Sequence, residues 1–83
     1  MQTIQTNYEL IYTYLKEKYM RATIGKKELA SELGVALGTI DLYMSRGMGV
    51  PPYKKLGDKP NSRVVFSIVD VAQFLSSDFT KTL

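Results

Sequence analysis

The sequence has no cysteine and no histidine. The first absence excludes a disulfide framework, a thiolate nucleophile and a thiolate metal site. The second removes the commonest zinc ligand and general base. No catalytic residue, metal or cofactor is therefore expected, and a chain without disulfides fits the cytoplasm. Long hydrophobic runs are missing too. No apolar stretch approaches the ~18 residues of a membrane span, and MQTIQTNYELIY lacks a basic stretch followed by an apolar block, so neither a membrane partner nor a targeting segment is expected. Glu28 and Glu32 lie four apart on one helical face, but with Lys26, Lys27 and Ser31 they read as a polar surface rather than an acid–base pair. There is also no phosphate-cradling glycine loop.

What remains is enough for one core. A chain of 83 residues, 45% of them hydrophobic, can fill one small core and no second. One domain spanning residues 1–83 is expected, mainly α with a small β-hairpin.

Its organising stretch is KKELASELGVALGTIDLYMSRG, residues 26–47, which reads as a helix-turn-helix over 26–46. In the first helix Leu29, Ala30 and Leu33 form the apolar face, and small Ala30 suits a steep crossing where two backbones approach. Gly34 stops that helix where the chain needs positive φ. Val35 fills the gap between the helices, and Ile40, Tyr43 and Met44 supply the inner face of the second.

This stretch resembles the helix-turn-helix of MerR-like winged helices, especially the small excisionase and AlpA-type phage regulators. In that family an Arg-Gly or similar pair leaves the second helix. A Pro-containing link, a two-stranded wing and a helix with Asp near its start then follow. Here the corresponding residues are Arg46-Gly47, Pro51-Pro52, a hairpin over 53–66 and SIVDVAQFLSS. The resemblance covers Ile24 to about Leu75 and implies a winged helix-turn-helix that binds double-stranded DNA. It further implies a transcriptional regulator or an excisionase-like recombination directionality factor of a phage or mobile element. In one respect the chain departs from the pattern. The second helix of the family opens with a hydroxyl cap and basic or polar residues, whereas this one opens with Ala36, Leu37, Gly38 and Thr39.

Direct base readout should therefore be sparse. Thr39 carries the one hydroxyl near the tip, Ala36 and Leu37 can touch thymine methyls, and Asp41 would repel phosphate or accept from a cytosine amino group. Leu37, Thr39, Leu42 and Arg46 are the candidate contacts of this helix, with Arg46 on a flanking phosphate. From Met44 to Phe66, Arg46, Lys54, Lys55, Lys59 and Arg63 face the single acid Asp58, while the rest of the chain has six basic and seven acidic residues. The positive charge belongs to the hairpin, and Lys54, Lys55, Lys59 and Arg63 are the candidate contacts to phosphate or the minor groove. One motif reads too few base pairs for genome-level specificity, so a homodimer or cooperative array on DNA is expected. The alternative is an adaptor whose Leu37 and Leu42 dock a recombinase or an RNA polymerase component.

Outside the motif, Met1 to Gln5 is expected to be a frayed tail. A capping box of Thr6 and Glu9 opens a helix over 6–20. Tyr8, Ile11, Leu15 and Tyr19 give its apolar face, widened by Leu10 and Tyr14; tyrosines left outside would be candidates for a dimer contact. Residues 21–25 read as a link. Pro51 and Pro52 bar a helix after Gly47. Strands are expected over 53–56 and 63–66 around GDKPNS, with Val64 and Phe66 inward. Ser67 and Asp70 cap a last helix over 67–76, whose Ile68, Val71, Phe74 and Leu75 close the core over the hairpin and the helix-turn-helix. The residues from Asp78 on are expected to be a loose tail.

Overall fold

The computed structural model describes residues 6–77; the expected tails lie outside the described residues. Four helices and three short strands follow in the order α1 (Asn7–Tyr19), β1 (Thr23–Ile24), α2 (Lys26–Leu33), α3 (Leu37–Arg46), β2 (Lys54–Lys55), β3 (Val64–Ser67) and α4 (Ile68–Ser76). The strands form an antiparallel sheet with β3 in the centre. The protein is thus mainly helical with a small sheet. Among the described residues no helix is long and apolar enough to cross a membrane.

Local chemistry sets the helix ends. Thr6 Oγ1 accepts from the Glu9 N–H at 3.1 Å while Glu9 returns a bond to the Thr6 N–H at 2.9 Å, the reciprocal box that opens α1. At the N-terminus of α2, Gly25 has no side chain to offer, and only the return half is made: its N–H donates to Glu28 Oε1 at 2.9 Å. The backbone bonds on Glu28, from its own amide and from Gly25, hold its carboxyl below the ordinary range, with Arg21 and Lys27 adding to the effect. Two helices finish alike. Gly34 at φ +72° lets the Val35 N–H reach back to the Ala30 carbonyl at 3.0 Å, and Gly47 at φ +71° lets Met48 reach Tyr43 at 3.2 Å. Each bond spans five residues and satisfies a carbonyl that the helix leaves open. The first of these glycines also begins the three-residue turn, Gly34 to Ala36, between α2 and α3.

The core gathers one to three side chains from every helix and from β1 and β3. Leu15, Ile24, Leu29, Ala30, Ile40, Val64, Phe66, Ile68, Val71 and Ala72 are buried, with Leu33, Val35 and Met44 packed against them. The helix-turn-helix residues thus meet as their spacing predicted, except Tyr43, which is only partly buried and stays outside this cluster with its ring beside Gly49. On β3 the alternation also holds: Val64 and Phe66 point inward, Val65 and Ser67 outward. Phe66 is fully buried, with its ring tilted against that of Tyr53 at 5.7 Å.

Four expectations need correction. The link over 21–25 contains β1, which pairs Thr23 with Ser67 and Ile24 with Phe66. Leu10 and Tyr14 do not widen the apolar face of α1. Both are about half exposed, while Tyr12 lies inward and stacks on Tyr8 at 5.8 Å. Phase explains this: residues 8, 12, 15 and 19 return to one side at about 100° per residue, and residues 10 and 14 fall opposite. The last helix packs mainly on α1, with a lesser contact to β3, rather than over the hairpin and the back of the helix-turn-helix. Finally, the first arm of the hairpin is the two-residue β2 rather than 53–56, and the second is shifted by one residue from 63–66 to Val64–Ser67, because Ser67 still pairs with Thr23 of β1 before it caps α4 by accepting from the Asp70 N–H at 2.9 Å.

Candidate nucleic-acid interface

The outward surface of α3 follows from its buried side. Ile40 is fully buried and Tyr43 and Met44 partly so, which turns Gly38, Asp41, Leu42 and Ser45 to solvent. Leu37 and Leu42 are 46% and 45% exposed. Thr39 is half-buried. Residues two apart on a helix differ in direction by about 200°, so Leu37 and Thr39 stand on opposite flanks of α3 and do not converge on one spot. The Ser45 hydroxyl is turned back to the Leu42 carbonyl at 2.8 Å. Arg46 is exposed at the last position of the helix.

The hairpin carries the other four candidates, all exposed. Lys54 pairs with Val65 and Lys55 with Val64, and the Leu56 N–H extends the ladder to the Arg63 carbonyl at 2.7 Å. Side chains opposite one another share a face. Lys54, Leu56, Arg63 and Val65 therefore lie on the outer face, and Lys55 is directed to the other. Lys59 sits in the turn, where its N–H donates to Ser62 Oγ and its carbonyl accepts from the Ser62 N–H, both at 3.0 Å. The charge cluster seen in the sequence is thus split: Lys54 and Arg63 share a face, Lys55 opposes them, and Lys59 is at the tip. A shallow depression of about 290 Å³ opens on the outer face at the root of the hairpin, lined by Thr23, Pro52, Tyr53, Lys54, Val65, Ser67 and Asp70.

Among the described residues there are three ion pairs: Lys18 with Glu32 at 2.7 Å, Arg21 with Glu28 at 3.5 Å and Lys26 with Asp41 at 2.6 Å. None uses Arg46, Lys54, Lys55, Lys59 or Arg63. The three paired acids are engaged by α1, α2 and the link between them, and the cations of the hairpin have no ion-pair partner among the described residues.

Two polar groupings had no counterpart in the sequence reading. Glu32, taken there as part of a polar surface, has a side chain only 7% exposed. It is wedged between α1 and α2, where it accepts from Lys18 Nζ at 2.7 Å, from the Tyr14 hydroxyl at 3.0 Å and from the Tyr19 hydroxyl. Burial pushes its carboxyl upward, but these donors outweigh that and leave it below the ordinary value. Tyr19 is pushed up to about 12, first by burial and then by its bond to the Glu32 anion. The Lys18 ammonium is raised by its bonds to Glu32 and Tyr14. The second grouping is the Lys26–Asp41 pair, which joins the start of α2 to the exposed face of α3. The i, i+4 placement of Tyr14 and Lys18 is the one trace of the first grouping in the sequence. The second left none.

Comparison with protein-family models, curated proteins and solved structures gives no match.

Proposed function

We propose that this protein is a winged helix-turn-helix that binds duplex DNA, acting in the cytoplasm as a small transcriptional regulator or as an excisionase-like factor, without cofactor or chemistry of its own. The observation that carries the reading is the segregation of charge. Among the described residues every cation in an ion pair lies before α3, and the five from Arg46 to Arg63 are exposed without an acidic partner. Unpaired cations on a hairpin that follows a helix-turn-helix suit a phosphate backbone. The order of elements supports it: α2 and α3 joined by a three-residue turn, then a hairpin whose second strand is the centre of the sheet. In this arrangement α3 enters the major groove, and Lys54 and Arg63 grip phosphates from the outer face of the wing. Lys59 and Lys55 reach the adjacent backbone, and Arg46 takes a flanking phosphate. Binding as a dimer or array belongs to the same proposal.

Fluorescence anisotropy on a mixed-sequence duplex across a salt series tests it. Each phosphate contact contributes about 0.9 to the slope of log affinity on log salt. The double variant K54A/R63A should lower the slope by about two units. K55A, directed the other way, should lower it by one at most. Equal inertness of wild type and variants at low salt would overturn the DNA reading. The exposure of Leu37 and Leu42 on α3 favours a second reading, a protein adaptor, for which such inertness is the expected result.

A further inference from the structure

We infer that Asp41 is the base-reading residue of α3: its carboxylate accepts from the exocyclic amino group of a cytosine in the major groove, beside thymines whose methyls meet Leu37 and Leu42. This rests on the duplex-binding reading above and gives it a target sequence chemistry.

An exposed carboxylate on a groove-facing helix is ordinarily a liability, because phosphates repel it. Here the charge is compensated. Lys26 Nζ lies 2.6 Å from Asp41 Oδ1 and anchors the carboxylate from α2, while Oδ2 has no hydrogen-bond partner among the described residues. The outcome is a neutralised, oriented acceptor with one lone-pair edge free. Its surroundings clear the way. Gly38, one turn before, has no side chain, and the Ser45 hydroxyl, one turn after, is occupied by the Leu42 carbonyl. Leu37, four residues before Asp41, and Leu42, beside it, are about half exposed, and both are apolar.

An acceptor flanked by apolar groups selects among the bases by elimination. Guanine presents O6 and N7 and thymine presents O4, all acceptors that repel a carboxylate. Adenine offers its amino group next to the N7 acceptor, so one oxygen gains what the other loses. Cytosine offers N4–H beside an apolar C5 edge, and a neighbouring thymine adds a methyl for leucine. The predicted ligand is therefore a duplex with a cytosine flanked by thymine on one strand.

The test is enrichment of bound sites from a randomised duplex pool by the full chain, as wild type, D41A, D41N, K26M and K26M/D41A, with salt-series anisotropy alongside. Asp41 is exposed, and D41N keeps its shape. Wild type should enrich cytosine next to thymine. D41A should lose at least about fivefold discrimination at that position, and D41N should move the preference to adenine, which an amide can engage through N6 and N7 together. K26M should weaken binding to every duplex by uncovering the Asp41 charge, and adding D41A should restore part of it. If D41A selects the same bases with wild-type discrimination, or if wild type binds duplex without preferring cytosine, the inference is overturned while the duplex reading stands. Failure of wild type to bind any duplex at low salt overturns both.

Discussion

Glu32→Gln isolates the charge that ties α1 to α2. The substitution keeps the size of the side chain and one acceptor oxygen, but removes the anion and replaces by an amide NH2 one of the two oxygens that Tyr14 and Tyr19 use separately. In the wild type two hydroxyls, from Tyr14 and Tyr19, donate to a carboxylate whose side chain is 7% exposed. A hydrogen bond to a charged group contributes about 1 kcal/mol more than one to a neutral group, so two such bonds place the loss near 2 kcal/mol. The exposed Lys18 partner adds little to this. For a domain of this length each kcal/mol lowers the melting temperature by about 4–8 °C, so E32Q should melt roughly 8–16 °C below wild type at neutral pH. Circular dichroism melts measure it directly. The pH dependence supplies a second reading with a defined sign. The Glu32 carboxyl is lowered in the folded state from an ordinary 4.5, so its contribution is complete above that value and fades as pH falls through the folded value. Tyr19 is raised from 10.0 to about 12, so its contribution is complete below pH 10 and is lost between 10 and 12. Wild type should therefore be most stable relative to E32Q between about pH 5 and 10, the difference shrinking on both sides. A melting difference under about 2 °C at neutral pH, or one independent of pH from 3 to 7, would refute the assignment of Glu32 as a buried charged link.

Two further changes probe the core and the turns. Phe66→Ala removes a fully buried ring at the centre of the sheet and should cost about 3–5 kcal/mol, visible as a lower urea midpoint with little change in slope; a loss under about 1 kcal/mol would contradict its placement. Gly34 and Gly49 both have positive φ, but a Cβ at Gly34 meets nothing within 4 Å whereas one at Gly49 comes within 3.0 Å of the Tyr43 ring. Gly34→Ala should therefore cost about 1–2 kcal/mol of backbone strain alone, Gly49→Ala distinctly more, and the reverse order in thermal melts would count against this geometry.

The parts of the fold that the sequence discloses are those with a local cause. Thr6 with Glu9, Ser67 with Asp70, Gly34 and Gly47 each act within one turn of backbone, and all four mark helix ends where expected. By contrast, β1 is two residues long and has no period to detect; it exists because β3 lies beside it. Glu32 looked like surface because nothing in α2 alone says that α1 will lie across it. Tyr14 was assigned inward for being aromatic, although its helical phase pointed out toward the polar partners it finds. At the candidate interface the types of residue were legible and their directions were not. The division of Lys54 and Arg63 from Lys55 depends on strand register, and the anchoring of Asp41 on how α2 meets α3.

Ser67 belongs to two elements at once, pairing with Thr23 as the end of β3 and capping α4 through Asp70, while the next amide, Ile68 N–H, bonds to the Ala22 carbonyl at 2.8 Å. No linker separates strand from helix, so there is no joint at which the hairpin can swing. It is built as a cantilever into α4, which packs on α1, with its last ladder bond between Leu56 and Arg63. A hairpin mounted in this way is already aimed, and the entropic cost of ordering it was met when the chain folded. The same mounting means that load applied at the outer end passes through β3 into α4 and so to its contact with α1.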